Sequence, residues 1–153
     1  KKKKRDKMKL NNELINALIK AQVEMDAVSK DAVNPVYSSG YATLNAVIEA
    51  VKKPLNSNGI YFHQETKYND TGVIVETILF GHGGEMKCGE IYIPAVKQNP
   101  HAFGSALTYA RRYSLMTACG LGAEDDDANE AQNSSKATSI PKAAAKSAER
   151  QNF

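Results

Sequence analysis

This sequence predicts an α+β fold, with helices kept apart from a single antiparallel sheet. Three observations carry that reading. Apolar residues recur at helical spacing in two segments before residue 60. The period then changes, and three β-rich runs follow, separated by turn signals. A long helical run returns at about residues 101–119. Two helical segments, three strands and a last helix, in that order, do not match the alternation that a parallel α/β sheet requires.

The first helix is read from Leu10, Leu14, Ala17, Leu18, Ala21, Met25 and Val28, over about residues 10–29. "DAVNPVYSSG" follows as a loop, marked by Asn-Pro and Ser-Ser-Gly. In "YATLNAVIEAVKKPLNSNG", Leu44, Val47, Ile48 and Val51 form one apolar stripe. Pro54 is expected to end or bend this second helix, and Asn58-Gly59 is a C-terminal stop. "IYFHQETKY", "VIVETILF" and "EMKCGEIYIP" are rich in β-formers, and "NDTG" and "GHGG" are the turns between them. Together they predict a three-stranded meander closed by Pro94. "AVKQNPHAF" links it to the last helix, which is expected to pack on the sheet and to stop at "CGLG". From residue 128 onward the chain is rich in Ala, Ser and Lys with almost nothing large and apolar. It cannot offset its ordering entropy, so residues 128–153 read as a disordered or weakly helical tail behind a domain at 10–127.

Composition narrows the function classes. The chain has 153 residues, 42% hydrophobic and 24% charged, which suits one soluble domain with tails. No apolar run approaches the roughly 18–20 residues of a membrane span, and the basic N-terminus lacks the apolar stretch of a signal peptide. Residues 1–9 carry a local charge of +6, so the other 144 sum to −3. This arm is either a functional basic segment or a remnant ahead of Met8. Overall charge is therefore a poor argument for any partner. Cys88 and Cys119 make no metal or redox spacing, and His63, His82 and His101 are scattered. The expectation is a reduced cytoplasmic compartment, with no metal and no cofactor.

The last helix carries the strongest signal. In "GSALTYARRYSL", Ser105, Thr108 and Arg112 fall on one stripe. Ala106, Ala110 and Tyr113 lie roughly opposite, and Leu107, Arg111 and Leu115 form a mostly apolar third stripe. A helix small or apolar on two sides lies close on a sheet with one polar edge open. Hydroxyls and a guanidinium on that edge suit phosphate oxygens. Gly104 is placed at the helix start, where free N–H groups favour anions. Lys97, Gln98 and Asn99 add donors, and Tyr109 and Tyr113 offer faces for unpaired bases. The same residues also serve as caps, core tyrosines and ion-pair partners, so residue chemistry alone leaves both readings open.

"GSALTYARRYSLMTACGLGAEDDDAN" resembles the signature of the ERF (essential recombination function) family of phage single-strand annealing proteins. Gly104, Ser105, Ala106, Thr108, Tyr109, Arg111, Arg112, Tyr113 and the acidic Asp125, Asp126 and Asp127 carry the match. A second block, "NPVYSSGYATLNAVIEAV", is similar through Asn34, Pro35, Ser38, Tyr41, Ala42 and Leu44, with Gly40 inserted in the usual Ser-to-Tyr step. The resemblance covers about residues 10–128. It implies binding of single-stranded DNA and ATP-independent annealing of complementary strands. It also implies a β-β-β-α core, ring or filament homo-oligomers, and action in the bacterial host's cytoplasm. No GxxxxGK[ST] loop is present, in keeping with ATP independence. The expected DNA contacts are Arg112 and Lys97, with Ser105, Thr108 and Tyr109 beside them and Arg111 as a second candidate or a fold-holding bridge. Lys52, Lys53, Lys67 and Lys87 are a further basic set. The tail is a candidate docking segment for the host single-strand-binding protein. Two other classes stay open: a structural oligomer without nucleic acid, and a metal-dependent nuclease using Asp125, Asp126 and Asp127.

Overall fold

The computed structural model describes residues 11–34 and 40–122. The basic arm, residues 35–39, the acidic cluster and the 128–153 segment lie outside the described residues. The α+β reading holds: the described residues form three helices and a three-stranded antiparallel sheet, with a short two-stranded ladder as well.

Helix α1 is Asn12–Glu24. The Asn11 side chain caps it by accepting from the Leu14 N–H at 2.8 Å. It buries Leu14, Ala17 and Ala21, and ends earlier than the apolar period suggested. Met25 is extended, and beyond it the Val28 N–H donates to Gly122 O at 3.3 Å. The Met25 N–H closes the last turn on Gln22 O at 3.2 Å, and three residues on, a partner from the far end of the fold holds the chain in place of a helical bond.

The segment read as pure loop contains strands β1 (Ala32–Val33) and β2 (Gly40–Tyr41), paired antiparallel. Asp31 accepts from the Thr43 N–H at 2.7 Å and from its hydroxyl at 2.6 Å. Thr43 in turn caps helix α2, Leu44–Ser57, by accepting from the Ala46 N–H. Pro54 does not end α2. It sits buried in the last turn, and its carbonyl accepts from the Asn58 side chain at 2.8 Å. One absent N–H near a helix end removes only one ladder bond.

Strands β3 (Tyr61–Asn69), β4 (Gly72–Gly81) and β5 (Gly84–Pro94) form the meander in the order β3-β4-β5. The β4–β5 turn has positive φ at both His82 (51°) and Gly83 (72°), as a two-residue primed hairpin turn requires. His82 bears this conformation because two bonds fix it. Its Nε2 bonds Asn58 O at 2.8 Å, and its carbonyl accepts from the Asn11 side chain at 2.9 Å.

Helix α3, Pro100–Cys119, packs on β4 and β5. Asn99 caps it, Pro100 takes the first helical position, and Gly120 closes it in the left-handed region at φ 67°. Alternation on β4 puts Val73, Val75, Thr77 and Leu79 beneath the helices. Two apolar clusters result. Val73 and Val75 pack with Ala106 and Ala110, whose small side chains let the first half of α3 approach closely. Leu79 joins Leu115, Cys119 and the apolar faces of α1 and α2. Between the clusters lies a polar seam, where the buried Thr77 and Ser114 hydroxyls meet at 2.6 Å.

Candidate nucleic-acid interface

An open groove runs along the outer side of the first half of α3. Near Asn99 and Pro100 it is lined by Ile93, Lys97 and His101. Further along, it is bounded by Tyr41, Ser105, Thr108, Tyr109 and Arg112. Ser105, Tyr109 and His101 border both stretches, so the two are continuous. Among the described residues, no carboxylate lines either one.

The groove brings Ser105, Thr108 and Arg112 together, as the helical stripe implied, and sets Tyr109 beside them. It corrects the expectation that Arg112 sits on an open edge. Arg112 is only 6% exposed. Its Nη1 donates to Ala42 O at 3.1 Å. Its Cζ lies 4.7 Å from the Tyr109 ring centre, 4.9 Å from Tyr41 and 5.0 Å from Tyr113. Three π faces and one carbonyl thus surround the cation, and it has no carboxylate partner among the described residues. The helix wheel missed this because Tyr41 and Ala42 come from a segment some seventy residues earlier in the chain.

Arg111 turns inward to the sheet. Its Nε donates to Gln64 Oε1 at 3.2 Å. The Gln64 amide donates back to Arg111 O at 2.8 Å and to Thr77 Oγ1 at 3.1 Å. This is the fold-holding bridge anticipated for Arg111, made to an amide rather than to an acid. Gln64 itself was not anticipated. Its parity with Phe62 and Thr66 on β3 was the available signal.

The hydroxyls differ in freedom. Thr108 Oγ1 donates to Gly104 O at 3.0 Å, while Ser105 has no protein partner among the described residues. Helix α3 begins at Pro100, so Gly104 lies inside it and offers no free N–H at a helix start. Of the upstream donors, Asn99 is used as the cap, and the Gln98 side chain donates to Asp70 O. Lys97 is exposed and has no ion-pair partner among the described residues.

The four further lysines are not gathered at the groove. Lys52 and Lys53 are exposed on α2. Lys67 pairs in register with Ile74, and Lys87 with Ile78, which places both on the sheet face away from α3. Lys67 is bound to Glu90 at 2.5 Å, and that carboxylate raises its ammonium above the ordinary lysine value. The same face carries Glu65, Glu76 and Glu90 directly opposite one another on adjacent strands.

Cys119 is buried and Cys88 half-buried, and both are free thiols. Burial pushes Cys88 up to about 11. For Cys119, burial first and neighbouring Cys88 second push the thiol to about 12. No group of three His, Cys, Asp or Glu among the described residues is placed to hold a metal, and Asp125, Asp126 and Asp127 lie outside them. No helix among the described residues is long and apolar enough to cross a membrane.

Comparison with curated proteins and with solved structures finds no match. A family model, the ERF superfamily, matches residues 14–153, a span that takes in the groove, the Tyr41 segment and the chain beyond α3. With that match over most of its length, the chain belongs to the ERF superfamily.

Proposed function

We propose that this protein binds single-stranded DNA and anneals complementary strands without ATP, as a non-catalytic component of phage homologous recombination. One observation carries the reading beyond family membership: the contrast between the two sides of the sheet. The α3 groove holds hydroxyls, tyrosine rings and Lys97 with no carboxylate among the described residues, whereas the opposite face presents three glutamates in a row beside Lys67 and Lys87. A polyanion is favoured at the first and repelled at the second.

In this mechanism Lys97 neutralises phosphates at the groove mouth, and Ser105 donates to a phosphate oxygen. A strand held by its backbone keeps its base edges free for pairing, so Watson–Crick complementarity alone selects the partner. The edges of β3 and β5, unpaired among the described residues, suit assembly into a ring or filament in which many weak sites act together. The segment beyond residue 128 is the proposed docking element for the host single-strand-binding protein, and the bacterial cytoplasm is the proposed site of action.

The test is annealing of two complementary strands, one end-labelled, without nucleotide cofactor and across a salt series. The expected result is annealing that weakens with salt. Lys97→Ala should shallow the slope of log affinity against log salt by about one unit. A protein that forms oligomers but shows no salt-dependent binding to single strands would be a structural oligomer. Magnesium-dependent strand cleavage would favour the nuclease reading.

A further inference from the structure

We infer that Tyr41, Tyr109 and Tyr113 form a platform for unpaired nucleobases, and that Arg112 is its positioning residue rather than a phosphate ligand. The inference rests on the proposed single-strand binding and names the part of the nucleotide that this stretch of the groove takes.

Four observations support it. First, the guanidinium is enclosed. Its Cζ lies within 5.0 Å of three ring centres, and one of its arms is fixed on Ala42 O. A phosphate would have to enter this cage to reach it. Second, the rings are not spent on burying the cation. Tyr41, Tyr109 and Tyr113 remain 37%, 41% and 44% exposed, so each has one side toward Arg112 and surface left for solvent. Third, Tyr109 and Tyr113 stand one helical turn apart, with centres 6.1 Å apart and planes tilted by 32°. They are separate surfaces rather than one stacked pair. Fourth, the open stretch beside the cage is lined by Tyr41, Tyr109 and Arg112 together with the Ser105 hydroxyl, which has no partner among the described residues.

The physical chemistry follows from the arrangement. A cation behind an aromatic ring draws electron density toward itself. The outer face is then less negative, and stacking against the π cloud of a base meets less repulsion. The guanidinium is planar and can lie against several rings while its N–H fork holds a carbonyl, which an ammonium cannot reproduce. Arg112 therefore sets the tilt of all three rings and ties α3 to the Tyr41–Ala42 segment. Stacking on such rings tolerates any base, as annealing of arbitrary sequences requires.

The chain has seven tyrosines and no tryptophan, so tyrosine emission is its intrinsic optical signal. The experiment measures affinity and emission with an oligothymidine strand and with an abasic strand of the same length and charge. Wild type should prefer the base-bearing strand by about tenfold or more, with quenched emission. Tyr109→Ala with Tyr113→Ala should abolish that preference while leaving the salt slope unchanged. Arg112→Lys keeps the charge and should also lose the preference at an unchanged slope. A merely structural arginine would not move the ratio between the two strands. Should Arg112→Lys fail to fold, the exposed tyrosine pair still decides the matter. Equal binding of both strands by wild type, or full preference retained by the tyrosine pair, would overturn the inference and leave single-strand binding intact. So would Arg112→Ala that shallows the slope by about one unit with the preference intact. Failure of wild type to bind either strand would overturn the proposed function itself.

Discussion

The buried hydroxyl pair between Thr77 and Ser114 should behave as a coupled unit. The two oxygens lie 2.6 Å apart, at 0% and 2% exposure, where α3 crosses the middle of β4. Thr77→Val keeps the volume but removes the hydroxyl. Ser114 is then left buried with no other partner among the described residues, and the Gln64 amide loses one acceptor while retaining Arg111 O. An unsatisfied buried hydroxyl costs about 1–3 kcal/mol, and about 2 kcal/mol is expected here. Ser114→Ala leaves Thr77 still bonded to Gln64, so it should cost only about 1 kcal/mol. In the double variant no hydroxyl is orphaned, and its cost should fall below the sum of the singles by about 1 kcal/mol. At this size 1 kcal/mol corresponds to a melting shift of about 4 °C. Urea and thermal unfolding of all four proteins at one fixed concentration measure the cycle, since any assembly would make stability depend on concentration. Costs additive to within about 0.3 kcal/mol would refute the reasoning, because independent sites add and a bonded pair does not.

Three further outcomes are expected. The Thr43 hydroxyl and N–H hold the Asp31 carboxyl below the ordinary carboxylate range. A depressed folded value stabilises above the unfolded value of about 4 and is lost as pH falls through the folded one. Asp31→Asn should therefore destabilise near neutral pH, with its deficit closing in strong acid; an equal deficit in both would contradict this. Cys119 and Cys88, raised to about 12 and 11, keep protons in the fold that the unfolded chain releases near about 8.5. Stability should fall as pH rises above about 8.5, and native thiols should react with a disulfide reagent far more slowly than unfolded ones; equal rates would rule out protected thiols. Deleting residues 128–153 should leave the melting temperature and single-strand binding nearly unchanged while abolishing capture of the host single-strand-binding protein. Equal capture with and without the segment would reject docking there.

The fold was legible where local chemistry agrees with the final arrangement. The switch from helical to alternating period located the meander, and Gly120 marked the end of α3. Pro54 shows where local rules lose: its position in a last turn, with Asn58 bonding its carbonyl, makes the missing N–H tolerable. The end of α1 was misjudged for the complementary reason, since the bond from Val28 to Gly122 exists only once the chain has folded back. The groove was half legible. Helical spacing grouped Ser105, Thr108 and Arg112, but no single-helix argument can show that Tyr41 closes over the arginine. Parity along β3 and β5 was the signal that could have set Lys67 and Lys87 on one face of the sheet, opposite Gln64 and Met86. What it lacked was knowledge of which face α3 would cover.

The aligned glutamates on the outer face of the sheet give ionic strength two opposing effects on this molecule. Like charges directly opposite on neighbouring strands weaken the pairing, and Lys67 offsets only part of that through Glu90. Added salt screens the remaining repulsion and tightens the sheet, while, under the proposed function, the same ions compete with the protein for DNA phosphates. The fold should thus be firmest under conditions where its grip on a strand is weakest. For a protein that anneals strands as proposed, releasing one product and remaining folded for the next are then served by the same change in the medium.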